Sequence, residues 1–416
     1  MEQLLPPRGA PRFDMARRVE RTAWYLRPVI WLLTFPQVLL HNTKIQKEGM
    51  AGIKPAYLLL CNHNAFYDFS VAAVATFPHR VNYVVAIDGF IGREWLMRKV
   101  GCICKRKFTS DLVLVRQLKR VVDNGGIACV YPEARYSLCG TNAVLPDSLG
   151  KLVKLLGVPV VTLITRGHHV NSPFWNLKKR GNRTEAKLSL TLTKDEIAAL
   201  STEAINAMIN DAFVYDDFAW QKESHVRVRM KGRAEGLHKV LYQCPACKTE
   251  YRMGSAENEI FCTHCLKRWS MDEYGALHAT EGKTEFSHIP DWYEWERANV
   301  AAEIAAGVYR FESAAHVDSL PNSKRFIHLG AGKLTHDITG FTLAGEYEGE
   351  AYAHHWDAAA LYSCHIEYEY LGKYGDCVDL NTLADTLYIY PEGEDFSVTK
   401  LALATEELYR RHNPKA

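Results

Sequence analysis

The sequence predicts an α/β domain with a largely parallel or mixed sheet, then a small cysteine-rich unit, then an α+β domain. Three observations predict this order. Residues 50–165 alternate between short apolar β-type runs and helical patterns, two CxxC pairs lie between 240 and 272, and turns with short β-type runs extend over 308–390. A chain of 416 residues exceeds one ordinary core, which agrees with two or three domains.

The composition is that of a globular protein. Hydrophobic residues make up 47% of the chain and charged residues 24%. A formal net charge of +2 argues against wholesale nucleic-acid binding. The 11 cysteines show no framework spacing apart from the two CxxC pairs, and no secretory signal precedes the first domain. We therefore expect reduced thiols and a cytoplasmic protein.

The N-terminal segment, 1–45, combines basic and apolar residues. Its apolar run over 23–40 is interrupted by Arg27, Pro28, Pro36 and Gln37, whereas a bilayer span needs about 20 predominantly apolar residues. Arginines precede and enter this run, so the segment predicts a helix lying on an anionic membrane surface. On this basis we expect peripheral association with the inner face of the membrane. The alternative is a helix buried against the following domain.

The α/β domain is expected over 46–235. Its predicted strands are 56–60, 81–85, 127–131 and 158–164, and their nearly continuous apolar character predicts a parallel sheet buried on both faces. Leu188, Leu190 and Leu192 alternate with polar residues, which predicts a half-buried edge strand. Helices are predicted from Ser110 as N-cap to Asn124, around Leu149–Leu156 with Gly157 after it, and over 195–215.

The last domain is expected over 273–416. Asp291 is the predicted cap of a helix that stops at Gly307, and a final helix follows Ser397. Between them lie β-type runs. A PH-like sheet capped by one helix fits this pattern, and several small barrels fit it as well.

A histidine and an aspartate follow the first strand of the α/β domain. His63 and Asp68 are five residues apart in the stretch Cys61–Asp68. Histidine can remove a proton at neutral pH, and a carboxylate bonded to its far nitrogen fixes the tautomer and stabilises the imidazolium. Such a pair, in a turn that enters a helix, is suited to activating an alcohol. Alone, a histidine near an aspartate is more often structural than catalytic.

Four stretches in order strengthen the catalytic interpretation. Asn62–Asp68 resembles the NHx4D motif of the glycerol-phosphate and lysophospholipid acyltransferases (the PlsC-like family), and Gly101–Lys107, Tyr131–Ser137 and Val158–Val161 are similar to the next three blocks of that family. The resemblance implies that His63 and Asp68 are the catalytic pair. It also implies an acyl-CoA or acyl-carrier-protein donor and a glycerol phosphate or lysophospholipid acceptor.

The chain departs from this family pattern in the blocks that bind phosphate. Ala134 replaces the usual glycine, Tyr136 stands where an arginine is expected, and Arg135 is one position early. In the second block Lys107 has the arginine spacing, and Arg106 reaches it only with a one-residue gap. We expect substrate-binding roles for Arg106 and Arg135, with Glu133 as a carboxylate that shapes the site. We expect these departures to affect the identity of the acceptor more than the reaction itself.

The cysteine-rich unit, 240–272, predicts a zinc ribbon. Cys244, Cys247, Cys262 and Cys265 form CxxC–x14–CxxC, which suits a closed tetrahedral S4 site. We expect structural Zn²⁺, because four thiolates leave no open position for chemistry. A pair of redox CxxC motifs is the alternative. The basic residues of the unit are too few to predict nucleic-acid binding.

The sequence therefore predicts a cytoplasmic O-acyltransferase of phospholipid biosynthesis that works at a membrane surface. Two alternatives remain. One is a non-catalytic scaffold that binds lipid or protein partners through the zinc ribbon and C-terminal domain. The other is an acyltransferase with a different hydroxyl- or amine-bearing lipid as acceptor.

Overall fold

A computed structural model describes residues 5–178 and 180–414. Residues 1–4 of the predicted N-terminal segment and 415–416 of the predicted last domain lie outside the described residues. Three sheets follow one another along the chain. Their strands lie within 44–192, 253–279 and 311–391.

The first sheet is mixed, with helices on both faces. Its strands are β1 (Lys44–Glu48), β2 (Tyr57–Cys61), β3 (Val81–Ala86), β4 (Ile103–Lys105), β5 (Ile127–Val130), β6 (Val160–Arg166) and β7 (Glu185–Leu192). Their order is β1-β7-β6-β2-β5-β3-β4. Strands β6, β2, β5, β3 and β4 run parallel, β7 is antiparallel to β6, and β1 is parallel to β7. The predicted α/β fold with a largely parallel, mixed sheet is confirmed.

The helices of this domain are α1 (Leu26–Leu40), α2 (Asp68–Ala75), α3 (Glu94–Lys99), α4 (Leu112–Asp123), α5 (Leu149–Leu156), α6 (His168–Asn171), α7 (Lys194–Ala199), α8 (Thr202–Ala212) and α9 (Asp217–Glu223). Alternate side chains of β2 pack in different hydrophobic clusters. Leu58 and Leu60 pack in the cluster that includes Leu118 of α4, whereas Leu59 packs with Val71 of α2. Both faces of the central strand are therefore buried, as its apolar run predicts.

Three local predictions for this domain were wrong. Strand β7 is not at the edge, because the polar strand β1 pairs with it over 44–48 and takes the edge position. The N-cap of α4 is Asp111, whose carboxylate accepts two backbone N–H groups, and not Ser110. The helix predicted over 195–215 is two helices, because Thr193 and Ser201 each cap a separate start.

The second sheet is small and antiparallel. It contains β8 (Met253–Ala256), β9 (Glu259–Cys262), β10 (Arg268–Met271) and β11 (Leu277–Ala279), in the order β11-β10-β9-β8. Trp269 of β10 is fully buried against Trp292 of the following helix, with ring centroids 5.0 Å apart. A unit this small has little core of its own, and its buried residues join one hydrophobic cluster with those of that helix.

The third sheet has seven antiparallel strands. After α10 (Ile289–Ala305) come β12 (Phe311–Ser319), β13 (Ile327–Asp337), β14 (Gly340–Tyr347), β15 (Glu350–Asp357), β16 (His365–Glu367), β17 (Cys377–Asn381), β18 (Thr386–Pro391) and α11 (Val398–His412). The order is β15-β14-β13-β12-β18-β17-β16. The sheet-rich domain with a final helix is confirmed, and the PH-like assignment stays a prediction. Helix α10 starts before the predicted cap Asp291, since Pro290 fits a first turn.

None of the helices within 5–178 and 180–414 is long and apolar enough to cross a bilayer. Helix α1 nevertheless buries only Thr34 and Val38. It packs beside α2, where Ser70 Oγ donates a 2.8 Å hydrogen bond to Gln37 Oε1. One apolar face of α1 therefore remains uncovered in the described chain.

Candidate active site and cysteine cluster

His63 lies in the loop between β2 and α2, and Asp68 is the first residue of α2. The carboxylate Oδ2 of Asp68 accepts backbone N–H groups of Asn64 at 2.7 Å and Ala65 at 2.9 Å, and lies 3.1 Å from His63 Nδ1. Asp68 is 1% exposed and the His63 side chain is 25% exposed. With Nδ1 turned to Asp68, Nε2 of His63 is the ring nitrogen that does not face this carboxylate.

A second histidine shares Asp68. His168, which begins α6 after β6, places its Nδ1 on Asp68 Oδ1 and is fully buried. Burial alone would raise the pKa of Asp68, but the charges and hydrogen bonds of His168 and His63 outweigh it and hold the pKa below its ordinary value. Asp68 is thereby kept as a carboxylate. The ring of Tyr67 stacks on His168 at 4.2 Å.

His168 was missed in the sequence. The available signal was its position at the carboxyl end of β6, because β6 runs parallel to and beside β2, whose carboxyl end leads to His63. When two neighbouring strands are parallel, the residues that follow them lie at the same end of the sheet. The separation of His168 and Asp68 by 100 residues hid the pair from a search for short motifs.

The rings of two tyrosines lie close to the ring of His63. The ring centroid of Tyr131 is 4.4 Å from that of His63, and Tyr136 is 4.3 Å from it. Tyr136 is the residue that stands where the family resemblance led us to expect an arginine. In this chain that position places an aromatic ring beside the imidazole, tilted by 43° from it, and no cation.

Glu133 is buried beneath His63. Its Oε2 accepts the backbone N–H of His63 at 2.7 Å, and its Oε1 accepts the backbone N–H of Ala143 at 2.8 Å. Burial raises the pKa of Glu133 to about 7, although the two backbone N–H groups oppose the rise. Glu133 therefore fixes the backbone from which the histidine projects, which agrees with a role in shaping the site.

Arg106 and Arg135 lie against the C-terminal domain. Arg106 is 2% exposed and donates to the carbonyls of Leu320, Pro321 and Ala384 and to Thr386 Oγ1, at 2.7–3.1 Å. Nη2 of Arg135 donates to Glu406 Oε1 at 2.6 Å. The substrate-binding roles of both residues stay predictions. Arg106 bonds through both of its Nη atoms, whereas the buried Nε and Nη1 of Arg135 have no hydrogen-bond partner among the described residues.

The four cysteines of the ribbon come together as predicted. Their sulfurs all lie within 4.8 Å of one another, with Cys244 Sγ 3.7 Å from Cys265 Sγ and Cys247 Sγ 3.8 Å from Cys262 Sγ. A tetrahedral zinc with four bonds of about 2.3 Å places its sulfurs about 3.8 Å apart. The side chains therefore fit a tetrahedral metal ion.

The two CxxC loops repeat one backbone conformation. The N–H of Lys248 bonds to the carbonyl of Cys244 at 2.8 Å, and the N–H of Leu266 bonds to that of Cys262 at 3.0 Å. Lys248 and Leu266 both have positive φ, 63° and 64°. Such paired turns aim two thiolates each toward one point, which suits a closed site.

Part of the chain is similar to known proteins. Residues 37–166 match the family model described as Acyltransferase. No curated protein matches the chain. Among solved structures, the chain is similar to the 1-acyl-sn-glycerophosphate (LPA) acyltransferase PlsC from Thermotoga maritima, with 15% identity, 45% of this chain and 77% of that chain covered, and a TM-score of 0.38. The matched residues include His63, Asp68 and Glu133.

Proposed function

We propose that the protein transfers a fatty acyl group from an acyl thioester, acyl-CoA or acyl-carrier protein, to a hydroxyl of a glycerolipid-type acceptor. The family match of residues 37–166 supports acyl transfer. The observation that carries the mechanism is the hydrogen-bonding position of His63 Nδ1 relative to Asp68, 3.1 Å from its carboxylate. It leaves Nε2 as the base on the exposed side of the ring.

In the proposed reaction, His63 Nε2 removes the proton of the acceptor hydroxyl as the oxygen attacks the thioester carbonyl. Asp68 holds the Nδ1–H tautomer and stabilises the imidazolium. The tetrahedral intermediate then collapses, the carbon–sulfur bond breaks, and the imidazolium returns its proton to the leaving thiolate. The acyl group passes directly to the acceptor, so no acyl-enzyme forms.

The test is transfer of labelled acyl groups from acyl-CoA and acyl-carrier protein to a panel of lipid acceptors. We expect His63→Ala to lower kcat by about 10²- to 10⁴-fold, the usual contribution of a general base. The matched control is His79→Ala, because His79 is an exposed histidine of the same domain. Equal rates for wild type and His63→Ala would exclude His63 as the base, and no transfer by either would favour the non-catalytic scaffold.

We also propose that α1 lies on the cytoplasmic surface of an anionic membrane. Trp24, Leu32, Leu39 and Leu40 are 74–80% exposed, and the exposed arginines Arg17, Arg18 and Arg21 precede the helix. Apolar side chains beside arginines suit an interfacial helix on anionic lipid. Because α1 packs beside α2, this surface would bring lipid close to the element that carries Asp68.

Vesicle sedimentation tests this placement. We expect binding to vesicles containing phosphatidylglycerol that exceeds binding to phosphatidylcholine vesicles and weakens with salt. Leu32→Ser combined with Leu40→Ser should reduce it. The control is Leu112→Ser, which alters a 73% exposed leucine on α4. Unchanged binding of the double variant would exclude α1 as the contact.

For the cysteine cluster we propose a structural zinc ion held by Cys244, Cys247, Cys262 and Cys265. Zinc would join two loops of a unit that has little core of its own. The ribbon lies between the acyltransferase-family domain and α10 in the chain, so the ion would stabilise this connection and take no part in acyl transfer.

A further inference from the structure

The segment that joins α8 to the start of α9, residues 213–217, lies against the loop that follows β5. The backbone N–H of Asp217 bonds to the carbonyl of Gly140 at 2.8 Å. The same loop reaches the candidate base, because the N–H of Ser137 bonds to the carbonyl of His63 at 2.9 Å. The segment is therefore connected through one loop to the backbone of His63.

Tyr215 of this segment contacts both sides of the His63–Asp68 pair. Its hydroxyl donates to Asn64 Oδ1 at 3.0 Å and lies 3.4 Å from Glu133 Oε1. The backbone N–H of Asn64 in turn bonds to Asp68, and Oε2 of Glu133 accepts the backbone N–H of His63, both at 2.7 Å. Burial raises the pKa of Tyr215 well above its ordinary value, so the hydroxyl remains a donor. One buried hydroxyl thus supports the backbone on both sides of the pair.

Asp217 holds the turn that carries the second histidine. Its Oδ2 accepts the backbone N–H of His169 at 2.9 Å, and the backbone N–H of Gly167 also bonds to this carboxyl group. His168 lies between these two residues and places its Nδ1 on Asp68. The Asp217 side chain is fully buried. It therefore fixes the backbone from which His168 reaches Asp68.

The first turn of α9 is packed closely on the same turn. Gly167 has a φ of 81°, and a Cβ at this position would overlap the indole ring of Trp220. Trp220 is buried, and its Nε1 donates to Glu185 Oε2 of β7 at 3.2 Å. Helix α9 is thus seated on the sheet, which holds Asp217 in place against the turn.

We infer that Tyr215 and Asp217 are positioning residues for acyl transfer. Together they fix the two loops whose histidines meet at Asp68. The inference rests on the proposed function and adds two residues that act through the pair. Both lie beyond residues 37–166, which match the acyltransferase family model, so this support comes from the part of the chain that follows the matched region.

Tyr215→Phe tests the hydroxyl in the labelled acyl-transfer assay. We expect kcat to fall about 3- to 10-fold, the value of one hydrogen bond, with KM changed by less than about twofold. Tyr309→Phe is the matched control, because the Tyr309 hydroxyl is also buried and lies 2.8 Å from His336 Nδ1 in the C-terminal domain. This control loses a comparable hydrogen bond and should keep the wild-type kcat. Equal kcat for the two variants overturns the role of Tyr215.

Asp217→Ala and Asp217→Asn test the carboxyl group. Asparagine keeps a side-chain oxygen that can accept the two N–H groups of the turn, whereas alanine keeps none. We expect Asp217→Ala to lower kcat about tenfold or more and Asp217→Asn to stay within about threefold of wild type. An equal loss in both variants, or a wild-type kcat in Asp217→Ala, overturns the role of Asp217.

Thermal unfolding of every variant separates positioning from loss of fold, and kcat is expressed per folded molecule. Tyr215→Phe keeps the buried ring, so it decides the inference if Asp217→Ala does not fold. If no acceptor is acylated, or if His63→Ala acylates as well as wild type, the proposed function falls and this inference falls with it. If transfer depends on His63 but Tyr215→Phe matches Tyr309→Phe, the function stands and the inference is wrong.

Discussion

Arg135 and Glu406 are joined by a 2.6 Å hydrogen bond between Nη2 and Oε1, and both side chains are buried. Arg135 belongs to the loop that also carries Glu133 and Tyr136, whereas Glu406 lies on α11. Oε2 of Glu406 accepts a second 2.6 Å hydrogen bond from Arg297 of α10. One carboxylate of the C-terminal domain therefore bonds both this loop and α10.

Removing this carboxylate should be strongly destabilising. Glu406→Ala leaves Arg135 as a buried, unpaired cation, and breaking a buried ion pair from one side costs about 3–5 kcal/mol. We expect the free energy of unfolding in urea to fall by that amount. Glu394→Ala, at an exposed glutamate before α11, is the control and should change it by less than about 0.5 kcal/mol. Equal stability of the two variants would contradict this role.

Asp68→Asn should preserve the fold around the pair and remove its charge. The amide cannot stabilise the imidazolium, so we expect kcat to fall about 10²- to 10⁴-fold with KM changed little. Initial rates with saturating and limiting acceptor measure the two separately. Asp195→Asn, at an exposed position on α7, should behave as wild type. A loss confined to KM would assign Asp68 to binding instead.

His168 should act as a positioning residue for Asp68. Asparagine can present its amide N–H where His168 Nδ1 lies, whereas phenylalanine keeps only the ring that stacks on Tyr67. We expect His168→Phe to lower kcat roughly 10- to 100-fold, the value of a hydrogen bond to a charged group. His168→Asn should restore most of it. If both variants lose kcat equally while melting at the wild-type temperature, the N–H donor of His168 does not determine kcat.

Stability should depend on pH through Glu133. Its pKa is raised by burial to about 7 from an ordinary value of 4.5. Between these values the unfolded chain ionises Glu133 before the folded protein does, so the stabilisation present below pH 4.5 is lost as pH rises through 7. The loss is of order 3 kcal/mol.

Urea unfolding of wild type and Glu133→Gln at pH 5 and pH 8 measures this loss. Glutamine does not titrate, so the wild type should lose more stability on going to pH 8 than the variant does. The comparison also cancels Asp217, whose pKa burial likewise raises to about 7. Parallel pH dependence of the two proteins would show that Glu133 is ionised already at pH 5.

Metal removal tests the cysteine cluster. We expect one zinc per chain by elemental analysis, with Cys262→Ser or a strong chelator releasing it and lowering the melting temperature by several degrees, since a structural zinc contributes folding free energy. His264→Ala should retain the metal, because this exposed histidine adjoins two ligands without completing the set. Zinc lost from His264→Ala but kept by Cys262→Ser would reverse the ligand assignment.

Much of the fold could be predicted because its signals are local. The continuous apolar run of β2, the left-handed Gly157 after α5 with φ of 63°, and the paired CxxC spacing each specify structure within a few residues. The pair of His63 and Asp68 is also a local signal, because the two residues are five positions apart in one turn. Strand β1 escaped prediction because its residues are mostly polar and exposed.

The surroundings of the site could not be predicted because they are made by distant residues. Arg106 meets Thr386 across 280 positions, and Asp68 meets His168 across 100. Sequence patterns report charge and periodicity, but they do not report which buried partner takes a given arginine. From sequence alone, the same arginine fits a phosphate-binding role or a contact between domains, and only the positions of the sheets distinguish the two.

The contact between Arg135 and Glu406 also sets an order of events during synthesis. The separation of 271 positions takes roughly tens of seconds to translate. Throughout that interval the loop that carries Arg135 has been synthesised, whereas α11, which carries Glu406, has not. Until α11 is made, Arg135 lacks the carboxylate that it meets in the folded protein, so the loop that carries Arg135, Glu133 and Tyr136 gains this contact only when the last helix docks.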